Sequence, residues 1–204
     1  RVVPTTGERY MTLINGVGVN DADFNVSRTV FGRPVFLPEY TAWANMLKRC
    51  YSKHYKARQP TYVGCVVCAD WLYFTKFREW WLLSYKDGYH LDKDLLSDSR
   101  TYSPDTCVYV PQWLNNFVLD NQAQRGLHPI GVNKRQTGKY SARCKDPMTG
   151  KKMHLGDYNT PTLAHTAWLQ CKLAFATKLK PQMDLVDSRI YPRVVVILQS
   201  YGGS

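Results

Sequence analysis

The sequence predicts an α+β protein of two domains, on three observations. Its 204 residues exceed the roughly 100–150 that one core commonly needs, and 44% of them are hydrophobic. Helical three- and four-residue spacings mark the first half, whereas the second half shows short strands broken by glycine turns and then an alanine-rich helix. The charge is also uneven, with ten basic residues against two acids between positions 131 and 180 within a chain of net charge +11. A polyanion is therefore the expected partner.

Residues 1–38 are rich in Gly, Asn, Asp and Pro and predict an irregular lead-in with room for one hairpin. Tyr40, Trp43, Leu47, Cys50 and Tyr51 fall on one stripe and predict a helix over 39–52. A short strand is expected over 62–68. Asp70 then stands where it can cap a helix reaching 84, whose run WLYFTKFREWWLLS is aromatic on most of its surface and so must be buried on more than one side. Strands are expected over 90–96 and 107–110, followed by a short helix to 120.

The polar run 121–129 contains Gly126 and Pro129 and reads as a linker between a domain over 39–120 and a second over 130–181. Three strands over 131–135, 139–145 and 151–157 are separated by the turn pairs Thr137-Gly138 and Thr149-Gly150. Thr160 and Pro161 open a helix with Ala164, Ala167, Trp168, Cys171 and Ala174 on one stripe. In the tail, 182–204, VVVIL favours a strand by propensity, while Pro192 also suits a terminal helix.

Cysteines are spread through the chain and are expected to be reduced. Cys65-x-x-Cys68 has zinc spacing, but no second pair comes after it, so structural zinc is not expected. Gly16-Val17-Gly18 lacks the third glycine of a dinucleotide fingerprint. His128 and His165 are isolated. No apolar run approaches the roughly 20 residues that cross a bilayer, so no membrane association is expected.

In the basic segment, Arg143 and Lys145 lie two apart on one strand and hence on one face, where Lys139 also falls. The whole run, GVNKRQTGKYSARCKDPMTGKKMHLGDYNTPTLAHTAW, resembles the plant ethylene-response-factor DNA-binding domain. Gly131-Val132, Gly138-Lys139-Tyr140, Lys145-Asp146-Pro147, Leu155-Gly156 and Thr160 carry the likeness. The resemblance implies a three-stranded antiparallel sheet with one packed helix, laid in the major groove of double-stranded DNA. Its sheet-face residues would be Asn133, Arg135, Lys139, Tyr140, Arg143, Lys145, Lys152 and His154. Asn133, Thr137 and His154 depart from the arginine or tryptophan usual in the plant domains, so their base preference does not transfer.

The segments TAWANMLKRCY, TYVGCVVCADWLYFTKFREWW, GYHLDKDLL and YSPDTCVYVPQWLNNF are similar to phage and prophage proteins of the HNH-endonuclease type. That resemblance implies an HNH-like ββα-metal domain acting in the cytoplasm of a bacterial host and cutting or nicking duplex DNA with Mg²⁺ or Mn²⁺. Asp92 and Asn115 match metal ligands. Lys93 stands at the catalytic histidine's place, and lysine is ordinarily a cation rather than a base. In an altered site, His90 would be the base and Asp94 a further oxygen ligand. The alternative is a non-catalytic phage protein that binds DNA or inhibits host machinery on a degenerate nuclease fold, with a host or phage protein as partner.

Overall fold

The structure, a computed structural model, describes residues 12–119 and 127–201. It is a mixed helix-and-sheet fold with small sheets, as expected of the α+β class. The chain divides into two compact units, one of residues 1–85 with 99–106 and one of residues 86–98 with 107–204. No helix of the described residues is long and apolar enough to cross a membrane.

In the described part of the first unit, Gly18 closes a tight turn and packs against helix α1 (Pro38–Tyr51). A Cβ at Gly18 would lie 2.2 Å from Leu47 Cδ1, so this glycine serves close packing. Strands β1 (Ser27–Val30) and β2 (Arg33–Phe36) form an antiparallel hairpin. After α1 come α2 (Lys53–Arg58) and β3 (Val66–Val67), which is shorter than the strand expected over 62–68 because a 3₁₀ turn occupies Pro60–Tyr62.

Asp70 begins a 3₁₀ turn and does not cap the next helix, α3 (Phe74–Ser84). That role falls to Asp21, 54 positions away, whose carboxylate accepts hydrogen bonds from Thr75 N at 2.9 Å and Thr75 Oγ1 at 2.5 Å. On α3, Phe74, Phe77 and Trp81 are buried, but Leu82 and Leu83 are exposed, so burial covers less of the helix than its composition suggested. Trp43 is fully buried and donates from Nε1 to Trp71 O at 2.7 Å, which lets the indole enter the core with its polar atom satisfied.

In the second unit, β4 (Tyr89–Asp92) pairs antiparallel with β6 (Val108–Pro111), and α4 (Gln112–Phe117) comes directly after β6. Strand β4 ends at Asp92, not at 96, because the Asp92 side chain accepts from the next backbone amides and turns the chain. The segment 99–106, between β4 and β6 in sequence, belongs to the first unit, where β5 (Thr101–Tyr102) pairs in parallel with β3.

Strands β7 (Val132–Lys134), β8 (Tyr140–Lys145) and β9 (Lys152–Tyr158) form an antiparallel sheet in the order β7-β8-β9. Helix α5 (Pro161–Asp184) packs on it, with Thr160 Oγ1 accepting from Leu163 N at 3.2 Å as its cap. The ambiguous tail is resolved as a helix, α6 (Ile190–Ser200), whose Ile190, Val194 and Leu198 are fully buried.

The buried stripe of α5 is Ala164, His165, Trp168, Lys172, Ala176, Leu179 and Met183, which only partly matches the alanine-centred stripe read from sequence. His165 Nδ1 lies 2.9 Å from Ile130 O. Most of the linker expected over 121–129 falls outside the described residues. In the second compact unit, Leu95, Val110, Leu114 and Phe117 share one core with Cys144, Trp168, Met183, Ile190, Val194 and Leu198.

Candidate nucleic-acid interface

One side of the β7-β8-β9 sheet is closed by α5. Val132 and Ala142 on the sheet pack with Ala164 on the helix, and Tyr140, Leu155 and Tyr158 border them. Tyr140 therefore belongs to the helix side, not to the open face on which it was expected, because it alternates with Ser141 along β8. Its ring meets His128 edge-on at 5.4 Å.

The opposite side carries Ser141, Arg143 and Lys145 of β8. Their cross-strand partners are Asn133 and Asp157 beside Ser141, His154 opposite Arg143, and Lys152 opposite Lys145. Asn133, Arg143, Lys145, Lys152 and His154 are exposed, as are Arg135 and Lys139 at the β7–β8 turn. The sheet thus brings together seven of the eight residues singled out from sequence.

A bulge shapes this face. Ala142 pairs with Gly156, but Arg143 pairs with His154, so Leu155 is an extra residue on β9. Gly156 has φ +136° there, a backbone conformation that only glycine adopts readily. The extra residue brings His154 and Asp157 to the same side although they are three apart. His154 Nε2 lies 3.8 Å from Asp157 Oδ1, and Ser141 Oγ lies 3.2 Å from His154 Nδ1. Arg135 Nε donates to Asp157 Oδ1 at 3.1 Å.

Sequence reasoning missed both Ser141 and Asp157. Strict alternation from Lys139 would have found Ser141, whereas the bulge hid Asp157. The segment's other acid, Asp146, is used by the β8–β9 turn. Its Oδ1 accepts from Met148 N at 2.8 Å and Thr149 N at 3.1 Å, and the Thr149 and Met148 amides hold its carboxyl below the ordinary range.

The residues expected to form a metal site sit on β4 and α4. Asp92 Oδ1 accepts from Asp94 N at 2.8 Å and Leu95 N at 2.7 Å, and burial pushes its carboxyl above the ordinary range. Lys93 is buried and its ammonium pairs with the exposed carboxylate of Asp94. Asp94 lies past the end of β4, so strand alternation does not place it beside Asp92 as a shared ligand set would require. His90 is exposed on β4, and Asn115 is half-buried on α4.

Mg²⁺ and Mn²⁺ call for several oxygen donors converging on one point. Here one Asp92 oxygen already serves two amides, Asp94 is held by an adjacent cation, and the described residues contain no cluster of three or more His, Cys, Asp or Glu side chains placed to hold a metal ion. Asp92 Oδ1 and the Asp94 carboxylate are thus both engaged by neighbouring groups of the protein itself. No family model, curated protein or solved structure matches the chain.

Proposed function

We propose that the chain is a double-stranded-DNA-binding protein that docks through the open face of its β7-β8-β9 sheet. The observation that carries this reading is the cross-strand pairing of like charge. Lys145 stands opposite Lys152, and Arg143 lies two residues from Lys145 on the same exposed face. Like charges directly opposite are destabilising in a free sheet, and a polyphosphate laid across them removes that cost. Arg143, Lys145 and Lys152 hold phosphates or guanine edges, and Asn133 can exchange hydrogen bonds with a base edge, while the buried Ser141 supports the face from beneath through His154. Asp92 and its turn act in this reading as a structural device that ends β4.

Fluorescence anisotropy with a mixed-sequence duplex of about 30 base pairs, roughly three turns of B-DNA, tests the reading. Affinity is expected to fall steeply with added salt, and Arg143→Ala is expected to weaken binding by about 1–3 kcal/mol if the arginine contacts a base edge. Lys152→Ala should lower the slope against log salt by about one. Absence of duplex binding at low salt would overturn the proposal. Conversion of supercoiled plasmid to nicked or linear forms with Mg²⁺ or Mn²⁺, abolished by Asp92→Ala, would replace it with the endonuclease reading.

A further inference from the structure

The β1–β2 hairpin contains a residue that neither its turn nor its core accounts for. Val30 pairs with Arg33, so Phe31 and Gly32 are the two-residue loop, with φ +49° and +74°. Positive φ at both positions marks a turn that prefers Asn-Gly or Asp-Gly. A bulky aromatic is disfavoured there, yet Phe31 occupies the position and its side chain is fully exposed. The strained conformation holds an aromatic ring clear of the protein at the tip of a two-stranded ribbon.

The ribbon's two faces differ. Phe36 turns one way and stacks on Tyr40, with ring centroids 5.3 Å apart, which fixes that face to α1. Pairing of Arg28 with Val35 and of Val30 with Arg33 places Arg28, Val30, Arg33 and Val35 together on the other face. Arg28 and Arg33 are both exposed, and residues 27–36 contain no acid. The nearest acid after the hairpin, Glu39, is buried and bound to Arg78 at 3.1 Å. The surface is cationic and apolar at once, which suits a nucleic-acid groove better than an apolar protein face.

We infer that the β1–β2 hairpin is a second DNA-contacting arm, which sets Arg28 and Arg33 against the backbone of a duplex and inserts Phe31 between base pairs from the minor groove. Apolar wedges used in this way partly unstack a base step and kink the helix, while flanking arginines anchor the strand on either side. The inference rests on the duplex-binding reading, to which it adds a second contact and a deformation of the DNA. It assigns the open sheet to docking and the arm to distortion, so the two can fail separately.

The test uses the full chain and relaxed closed-circular plasmid treated with topoisomerase I, since a wedge that unstacks base pairs changes the linking number. Wild-type protein is expected to shift the topoisomer distribution. Phe31→Ala should abolish the shift, Phe31→Trp should retain it, and Phe31→Asn should abolish it while raising thermal stability, because Asn suits the turn. Arg28→Ala with Arg33→Ala should weaken anisotropy-measured duplex binding about tenfold and flatten its salt dependence. Duplex binding that depends on Arg143, together with a topoisomer shift equal in wild type and Phe31→Ala, would overturn the arm and leave the sheet reading intact. No binding by wild type would overturn both. A dimer in sedimentation that Phe31→Ala dissociates, with plasmid topology unchanged, would assign the hairpin to self-association instead.

Discussion

Gly131 has φ +82°, and a Cβ built on it would lie 2.1 Å from Trp168 Cδ1. Gly138 has the same φ but nothing within 4 Å of its Cβ position. The pair separates backbone strain from packing. Gly138→Ala is expected to cost about 1 kcal/mol by strain alone, whereas Gly131→Ala must also displace a core indole and should cost about 2–4 kcal/mol in urea unfolding. Equal losses would show that Trp168 moves aside freely.

A second residue-scale prediction concerns Lys172, which is buried and donates to Phe117 O at 2.5 Å with its ammonium 3.6 Å from the Phe117 ring. Burial pulls its pKa down to about 8, and burial together with Cys171 pushes the neighbouring Cys144 thiol up to about 12. Between pH 8 and about 10.4 the unfolded chain carries the lysine proton and the folded chain does not, so Lys172 adds stability as pH rises. Cys144 acts in the opposite sense above about pH 8.5, where the folded thiol keeps a proton that the unfolded one has lost. Relative to wild type, Lys172→Met should therefore lose about 1–2 kcal/mol as pH goes from about 8 to about 10, and Cys144→Ala should gain over the same range. Parallel stability curves for the three proteins would contradict this coupling of burial to charge.

At the scale of elements, the open sheet places Asp157 beneath its cations. Asp157→Asn frees Arg135 and removes a negative charge from the face, so nonspecific duplex affinity should rise several-fold at low salt with a steeper salt slope. Weaker binding would mean that Asp157 aims Arg135. Helix α6 answers to a different force. Leu198 is fully buried in the core shared with β6 and α4, and Leu198→Ala should cost about 2–5 kcal/mol by thermal or denaturant unfolding.

For the whole molecule, the core of the second unit decides what can fold separately. Trp168, Met183, Ile190 and Val194 are covered in part by Leu95, Val110, Leu114 and Phe117, which precede the run 121–129. A fragment of residues 127–204 loses those partners and exposes their contact surface. Circular dichroism and size exclusion should find it poorly folded or aggregated where the full chain is folded, and a well-folded monomeric fragment would show that the strands and helices after 127 suffice.

Local patterns in the sequence determined the α+β class, the aromatic helices, the three basic strands with their glycine turns, and the Thr160-Pro161 helix start. Each depends on neighbours within a turn or a strand, where period and capping chemistry act. The open face was legible too, since alternation alone joins Arg143 and Lys145. Tertiary structure decided what depends on distant partners. Asp21 caps α3 from 54 positions away, α4 and β6 share a core with α5 and α6, and the tail is a helix because Ile190, Val194 and Leu198 find that core at helical spacing despite β-branched propensity. The bulge at Leu155, which reverses the faces of Gly156, Asp157 and Tyr158, and the return of Lys93 and Asp92 into a turn were likewise set by backbone hydrogen bonds that no one-dimensional pattern records.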